Sequence, residues 1–127
     1  MKKVLLIITC LLILSGCGQT TEKQEAVYLN ITAEEAKSIM DREEGYVILD
    51  VRTQEEYEEK HIPGAILIPD YEIAEKAEEI LTDKDQLILV YCRSGRRSKL
   101  AAEALVELGY TNIREFGGII DWPYEVE

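Results

Sequence analysis

Residues Gln86 to Gly109 constrain the fold more than any other stretch of the chain. Gln86-Leu87-Ile88-Leu89-Val90-Tyr91 is a nearly continuous apolar run rich in branched side chains. Such a run predicts a strand covered on both faces within a parallel sheet. After the polar stretch Cys92 to Ser98, the residues Leu100, Ala101, Ala104, Leu105 and Leu108 recur with helical spacing, and Gly109 supplies a stop. A strand that enters a helix through a short loop sets that loop at the carboxyl edge of the sheet, where open α/β folds bind ligands.

The remaining chain alternates strand and helix in the same way. Strands are expected at Val27 to Ile31, Tyr46 to Asp50, Ala65 to Ile68 and near Asn112 to Glu115. Capping boxes at Thr32-Ala33-Glu34-Glu35 and Thr53-Gln54-Glu55-Glu56 open helices that run to about Arg42 and Lys60. A third helix over Asp70 to Leu81 has Ile73, Ala77, Ile80 and Leu81 on one side. The alternation predicts an α/β fold, a central parallel sheet with helices on both faces.

The loop after the central strand carries the chemistry. Cys92-Arg93-Ser94-Gly95-Arg96-Arg97 places one thiol beside three guanidinium groups, immediately before a helix N-terminus. Both features favour a thiolate, and a thiol so placed falls below its ordinary value of about 8.5. Gly95 allows the tight turn in which consecutive backbone N–H groups point inward and hold an anion. Three arginines and a glycine around one cysteine serve no packing purpose.

Residues 1–16 stand apart from the fold. Lys2-Lys3 precedes an apolar run from Val4 to Leu14, shorter than the roughly 20 residues of a membrane span but suited to a secretory signal. Leu14-Ser15-Gly16-Cys17 resembles the bacterial lipobox. That resemblance implies lipidation at Cys17 and an anchor on the outer side of the cell membrane, the competing reading being an uncleaved anchor. Residues 17–27 read as a flexible tether and 28–127 as the folded domain. The formal charge of −11 becomes two units more negative once Lys2 and Lys3 leave, which argues against nucleic acid and anionic lipid as partners. On that resemblance Cys10 would leave with the signal and Cys17 would be acylated. Cys92 then has no partner for a disulfide, and with one histidine the chain lacks the ligands of a zinc site.

Three blocks, taken in order, make residues from about 28 to 124 resemble a single rhodanese domain. They are Leu49-Asp50-Val51-Arg52 with Glu56-Tyr57 and His61-Ile62-Pro63-Gly64-Ala65, then Val90 to Ser98, then Phe116-Gly117-Gly118-Ile119-Ile120-Asp121-Trp122. The resemblance implies sulfur transfer without a cofactor. Cys92 takes sulfane sulfur from a small anion such as thiosulfate, holds it as a persulfide, and yields it to a thiol, cyanide or a protein acceptor. Arg93 and Arg96 are expected to recruit the anion, with Ser94 and Gly95 in the cradle and Arg97 bracing the loop against Asp50. Related phosphatases have five residues between cysteine and arginine; here four separate Cys92 from Arg97, so no phosphatase activity is expected. The other readings kept open are a sulfur-carrying or redox-sensing module and a non-catalytic anion binder.

Several tempting residues have duller roles. Asp50 and Arg52 are expected to form an ion pair that supports the loop after their strand. His61, beside Ile62-Pro63-Gly64, should close a turn, and Trp122 should cover the Cys92 loop. Lys60, standing where relatives commonly have glycine, is expected to take a left-handed conformation at about 1 kcal/mol.

Overall fold

In the computed structural model, the residues described are 27–127. The expected signal, the lipobox with Cys17 and almost all of the tether lie outside them. Five strands, β1 (Leu29–Asn30), β2 (Val47–Asp50), β3 (Ile66–Leu67), β4 (Ile88–Cys92) and β5 (Ile113–Gly118), form one sheet in the order β1-β5-β4-β2-β3. Every pairing is parallel. Helices α1 (Ala33–Arg42), α2 (Gln54–Glu59), α3 (Ile73–Ile80) and α4 (Arg96–Glu107) make the crossovers.

The central strand shows why the sheet is covered on both sides. All five residues of β4 are buried, and alternate side chains enter different cores. Ile88, Val90 and Cys92 pack with Ile73 and Ala77 of α3 and Ala101 and Leu105 of α4. Leu89 and Tyr91 pack with Ala36 and Ile39 of α1 on the opposite face. Cys92 thus points toward α4 because of its parity with Ile88 and Val90.

Local signals set the helix ends. Thr53 and Glu56 form a reciprocal capping box at the start of α2, whereas at α1 only the Thr32 side chain caps, accepting from the Glu35 N–H at 3.0 Å. At the end of α4, Gly109 has φ +96°. Its N–H donates to Val106 O at 3.0 Å, and that of Tyr110 to Leu105 O at 3.1 Å. This pairing of the last carbonyls with a left-handed glycine ends the helix.

Some expectations change. Leu100 and Ile80 are exposed. The buried stripe of α4 is Ser98, Ala101, Ala102 and Leu105, a helical spacing whose phase is set by a polar residue. Lys60 is extended, with φ −169°, and no non-glycine residue has positive φ among the described residues. The chain leaves α2 along a strand-like path, so the expected left-handed cost is absent. Strand β5 runs on to Gly118, opposite Cys92 in the β4–β5 register.

Candidate active site

Cys92 ends β4 and is 1% exposed. Gly95, with φ +105°, folds the loop back so that its N–H donates to Cys92 Sγ at 3.0 Å. Gly95 is also the N-cap of α4 and offers no side-chain cap. The first-turn N–H groups of Arg96, Arg97 and Ser98 consequently lack intrahelical acceptors and are available to an anion. Sulfur, amides and helix dipole converge, an arrangement that stabilises negative charge on the sulfur or on a group attached to it.

The three arginines divide the work. Arg93 and Arg96 are exposed, and neither forms an ion pair among the described residues. Arg97 does, but its partner is Glu56 rather than Asp50. Two parallel contacts at 2.7 and 3.0 Å make a fork-to-fork pair between α4 and α2. Asp50 cannot serve as that partner because its side chain already lies within a different buried network.

Asp50 Oδ1 accepts from the Arg52 backbone N–H at 2.9 Å, and the Arg52 guanidinium meets Asp50 Oδ2 at 2.7 Å. The guanidinium also donates to Lys60 O at 2.7 Å, and the Tyr91 hydroxyl donates to Asp50 Oδ2 at 2.7 Å. Burial, followed by the Asp50 carboxylate, pushes the Tyr91 phenol up from its ordinary range. The network links the loop after β2, the end of α2 and the residue preceding Cys92. It supports the site from behind and does not bring Asp50 or Arg52 to the sulfur. The ion pair expected from sequence is present in that role.

His61 closes a turn, as expected. Its Nδ1 donates to Tyr57 O at 2.8 Å and its ring stacks on Tyr57 at 3.9 Å. Trp122 differs from expectation. It packs against Phe116 and Tyr124 in the core on the α1 side, because β5 ends at Gly118 and the following turn carries the chain past the sheet edge. Gly118 and Ile120 underlie the Cys92 loop instead, with the Ile120 N–H donating to Arg93 O at 3.2 Å. A cleft of about 670 Å³ opens on the α1 side between Lys37, Met40, Tyr46, Trp122 and Tyr124. Cys92 is not among its lining residues.

Two side chains near the sulfur escaped the sequence reading. Ser98 Oγ lies 3.3 Å from Cys92 Sγ and 2.6 Å from Glu115 Oε1. The available signal was strand parity: Glu115 shares the face of Ile113, which is buried.

The Arg97–Glu56 pair makes stability depend on pH. Hydrogen bonding to Arg97 holds the Glu56 carboxyl at about 2, below its ordinary 4.5. A depressed folded value means stabilisation that is complete above the unfolded value and is lost as pH falls toward 2. Both side chains are partly exposed, so the contribution at neutral pH is on the order of 1 kcal/mol. Wild type is expected to exceed E56Q in urea midpoint at pH 7, with the gap closing between pH 5 and 2. A gap that persists unchanged at pH 2 contradicts the assignment.

Comparison with known proteins agrees with this geometry. The profile of the rhodanese-like domain matches residues 32–123. The chain is 42% identical over 73 residues to thiosulfate sulfurtransferase PspE of Escherichia coli, covering 58% of this chain and 70% of that one. It is 31% identical over 118 residues to adenylyltransferase and sulfurtransferase UBA4 of Candida albicans, covering 87% of this chain but only 27% of that protein. Among solved structures, a rhodanese with anions from E. coli superposes with a TM-score of 0.61 at 38% identity, covering 65% of this chain and 96% of the other.

Proposed function

The chain belongs to the rhodanese-like domain family; from that membership we propose a sulfurtransferase working through a persulfide on Cys92, and from its N-terminal sequence an exported, lipid-anchored one. The observation that carries the reading is the Gly95 N–H on the buried Cys92 sulfur, at the uncapped N-terminus of α4. This is a site for a sulfur anion.

In the first half-reaction the Cys92 thiolate attacks the outer sulfur of thiosulfate. A new S–S bond forms, the donor's S–S bond breaks, and its electron pair leaves with sulfite. The terminal persulfide sulfur carries the remaining negative charge, facing the N–H groups of the loop. In the second half, cyanide or a thiolate acceptor attacks that sulfur, and the electron pair returns to Cys92 Sγ. Arg93 and Arg96, free of ion pairs among the described residues and set on an acidic body, draw in the anionic donor. A protein acceptor is the second reading. Tyr71, Leu100 and Ile120 are exposed apolar side chains on segments next to the loop.

Export and anchoring rest on Lys2-Lys3, the apolar run to Leu14 and the Leu14-Ser15-Gly16-Cys17 box. Intact mass of the full chain, purified from membranes of expressing bacteria, tests both parts. The expected species begins at Cys17 with a diacylglycerol, and thiosulfate adds one sulfur, about 32 Da, which cyanide removes. An unmodified chain still carrying Met1 overturns the anchor; an unchanged mass after thiosulfate overturns the persulfide.

A further inference from the structure

Glu115 is a buried charged group that the two half-reactions leave unused. It is 2% exposed and lies on β5 beneath the Cys92 loop. Its Oε1 accepts from the Gly117 N–H at 2.8 Å and stands 2.6 Å from Ser98 Oγ, which is 3.3 Å from Cys92 Sγ. A hydroxyl has one hydrogen to give. Here four acceptors surround it: Glu115 Oε1, Cys92 Sγ, Gly95 O at 3.1 Å and Gly117 O at 3.4 Å.

The short contact decides which arrangements are allowed. With Glu115 ionised, the Ser98 hydrogen goes to the carboxylate and the Ser98 oxygen turns a lone pair toward the sulfur. A thiol tolerates this, donating S–H to Ser98; a thiolate is repelled. A thiolate claims the Ser98 hydrogen for itself. The 2.6 Å contact then holds together only if Glu115 is protonated and donates to Ser98. Ser98 has one hydrogen, so it cannot donate to a charged sulfur and a charged carboxyl at once, and two charges this close repel.

We propose that Cys92 and Glu115 share one negative charge through Ser98, with Glu115 as the positioning residue that receives the thiol proton. As Sγ gives its proton to Ser98 Oγ, Ser98 passes its own to Glu115 Oε1. Two protons move and one charge crosses from carboxylate to sulfur. The pocket keeps the same net charge, so a dianionic donor meets one negative charge there rather than two.

The other charged and titratable groups around the pair are Arg93 in the loop, Arg96, Arg97 and Glu103 on α4, Glu56 on α2, Asp70 ahead of α3, and Tyr28 beside β1. Arg97 is committed to Glu56, and Tyr28 stays neutral because burial and the nearby carboxylates push it up. Of the carboxylates named, only Glu115 is hydrogen-bonded to Ser98 among the described residues, so the thiol proton has its route there.

The proposal rests on Cys92 being the reactive thiol, and its test is the pH profile of Cys92 alkylation by iodoacetamide in wild type and E115Q. Glutamine keeps an oxygen for Ser98 and Gly117 but removes the competing charge. The alkylation midpoint in E115Q is expected to fall by about one pH unit or more, giving roughly tenfold faster alkylation below both midpoints. A midpoint that stays in place or rises overturns the shared charge and leaves a purely structural glutamate. Infrared difference spectra of the wild type provide a second measurement that needs no variant. While the pair carries one negative charge, a protonated-carboxyl band should accompany the thiolate absorbance, and it should be missing after alkylation; thiolate absorbance in that range with the carboxylate fully ionised overturns the proposal. A parallel thiosulfate and cyanide assay on wild type separates the two readings, since absent turnover fails the sulfurtransferase assignment, whereas normal turnover with an unmoved midpoint fails only this one.

Discussion

Serine in place of Cys92 is expected to lower thiocyanate formation from thiosulfate and cyanide by more than about 10³-fold, a loss of the size seen when a nucleophile is removed. The expectation follows from what each atom can do in the same cradle. Serine accepts the Gly95 N–H and reaches Ser98 much as the sulfur does, so the hydrogen-bond pattern survives. A hydroxyl, however, is not ionised at neutral pH even beside amides, and oxygen does not hold sulfane sulfur as a persulfide. No other cysteine among the described residues can substitute. The fold should persist, because the replacement is slightly smaller at a buried position and leaves no unpaired polar atom. Urea denaturation of C92S should therefore show a cooperative transition close to that of wild type, while the assay falls to background. Activity retained above a tenth of wild type ends the claim that this sulfur does the chemistry.

How much of this was legible beforehand can be followed residue by residue. Strand β4 was readable because five consecutive buried residues leave an unmistakable apolar run, and Cys92 followed from its place at that run's end. The Thr53–Glu56 box was readable because capping is local. The partner of Arg97 was not. Asp50 ends β2 and Glu56 follows on α2, and only the three-dimensional path of α2 brings Glu56 to α4. Ser98 sets the phase of α4, yet a reading keyed to apolar residues chose Leu100, since nothing local says that a serine is buried by its bonds to Glu115 and Cys92. Trp122 was misplaced for a related reason. Its position depends on where β5 stops, and β5 continues through two glycines that look like loop.

Those glycines carry the second large effect. G118A is expected to cost on the order of 3 kcal/mol or more of stability and to reduce sulfur transfer in the molecules that remain folded. Gly118 has ordinary extended dihedrals, φ −128°, so backbone strain is not the cause. A Cβ built there stands 2.0 Å from Arg93 O, 2.3 Å from Arg93 C and 2.5 Å from Ser94 Cα. All three are backbone atoms of the Cys92 loop, and no side-chain rotation relieves the overlap. To admit one methyl group the loop must lift off β5. That breaks the Ile120 N–H to Arg93 O bond at 3.2 Å and disturbs the turn that aims the Gly95 N–H at the sulfur. Gly117 supplies the control. It has φ +88° but nothing within 4 Å of its missing Cβ, so G117A should cost only the left-handed penalty of about 1–2 kcal/mol. Urea midpoints and thiocyanate assays on the two variants, at a temperature where both are folded, should show G118A losing much more in both measurements. Equal behaviour would mean that the loop does not rest on β5 as tightly as these contacts require.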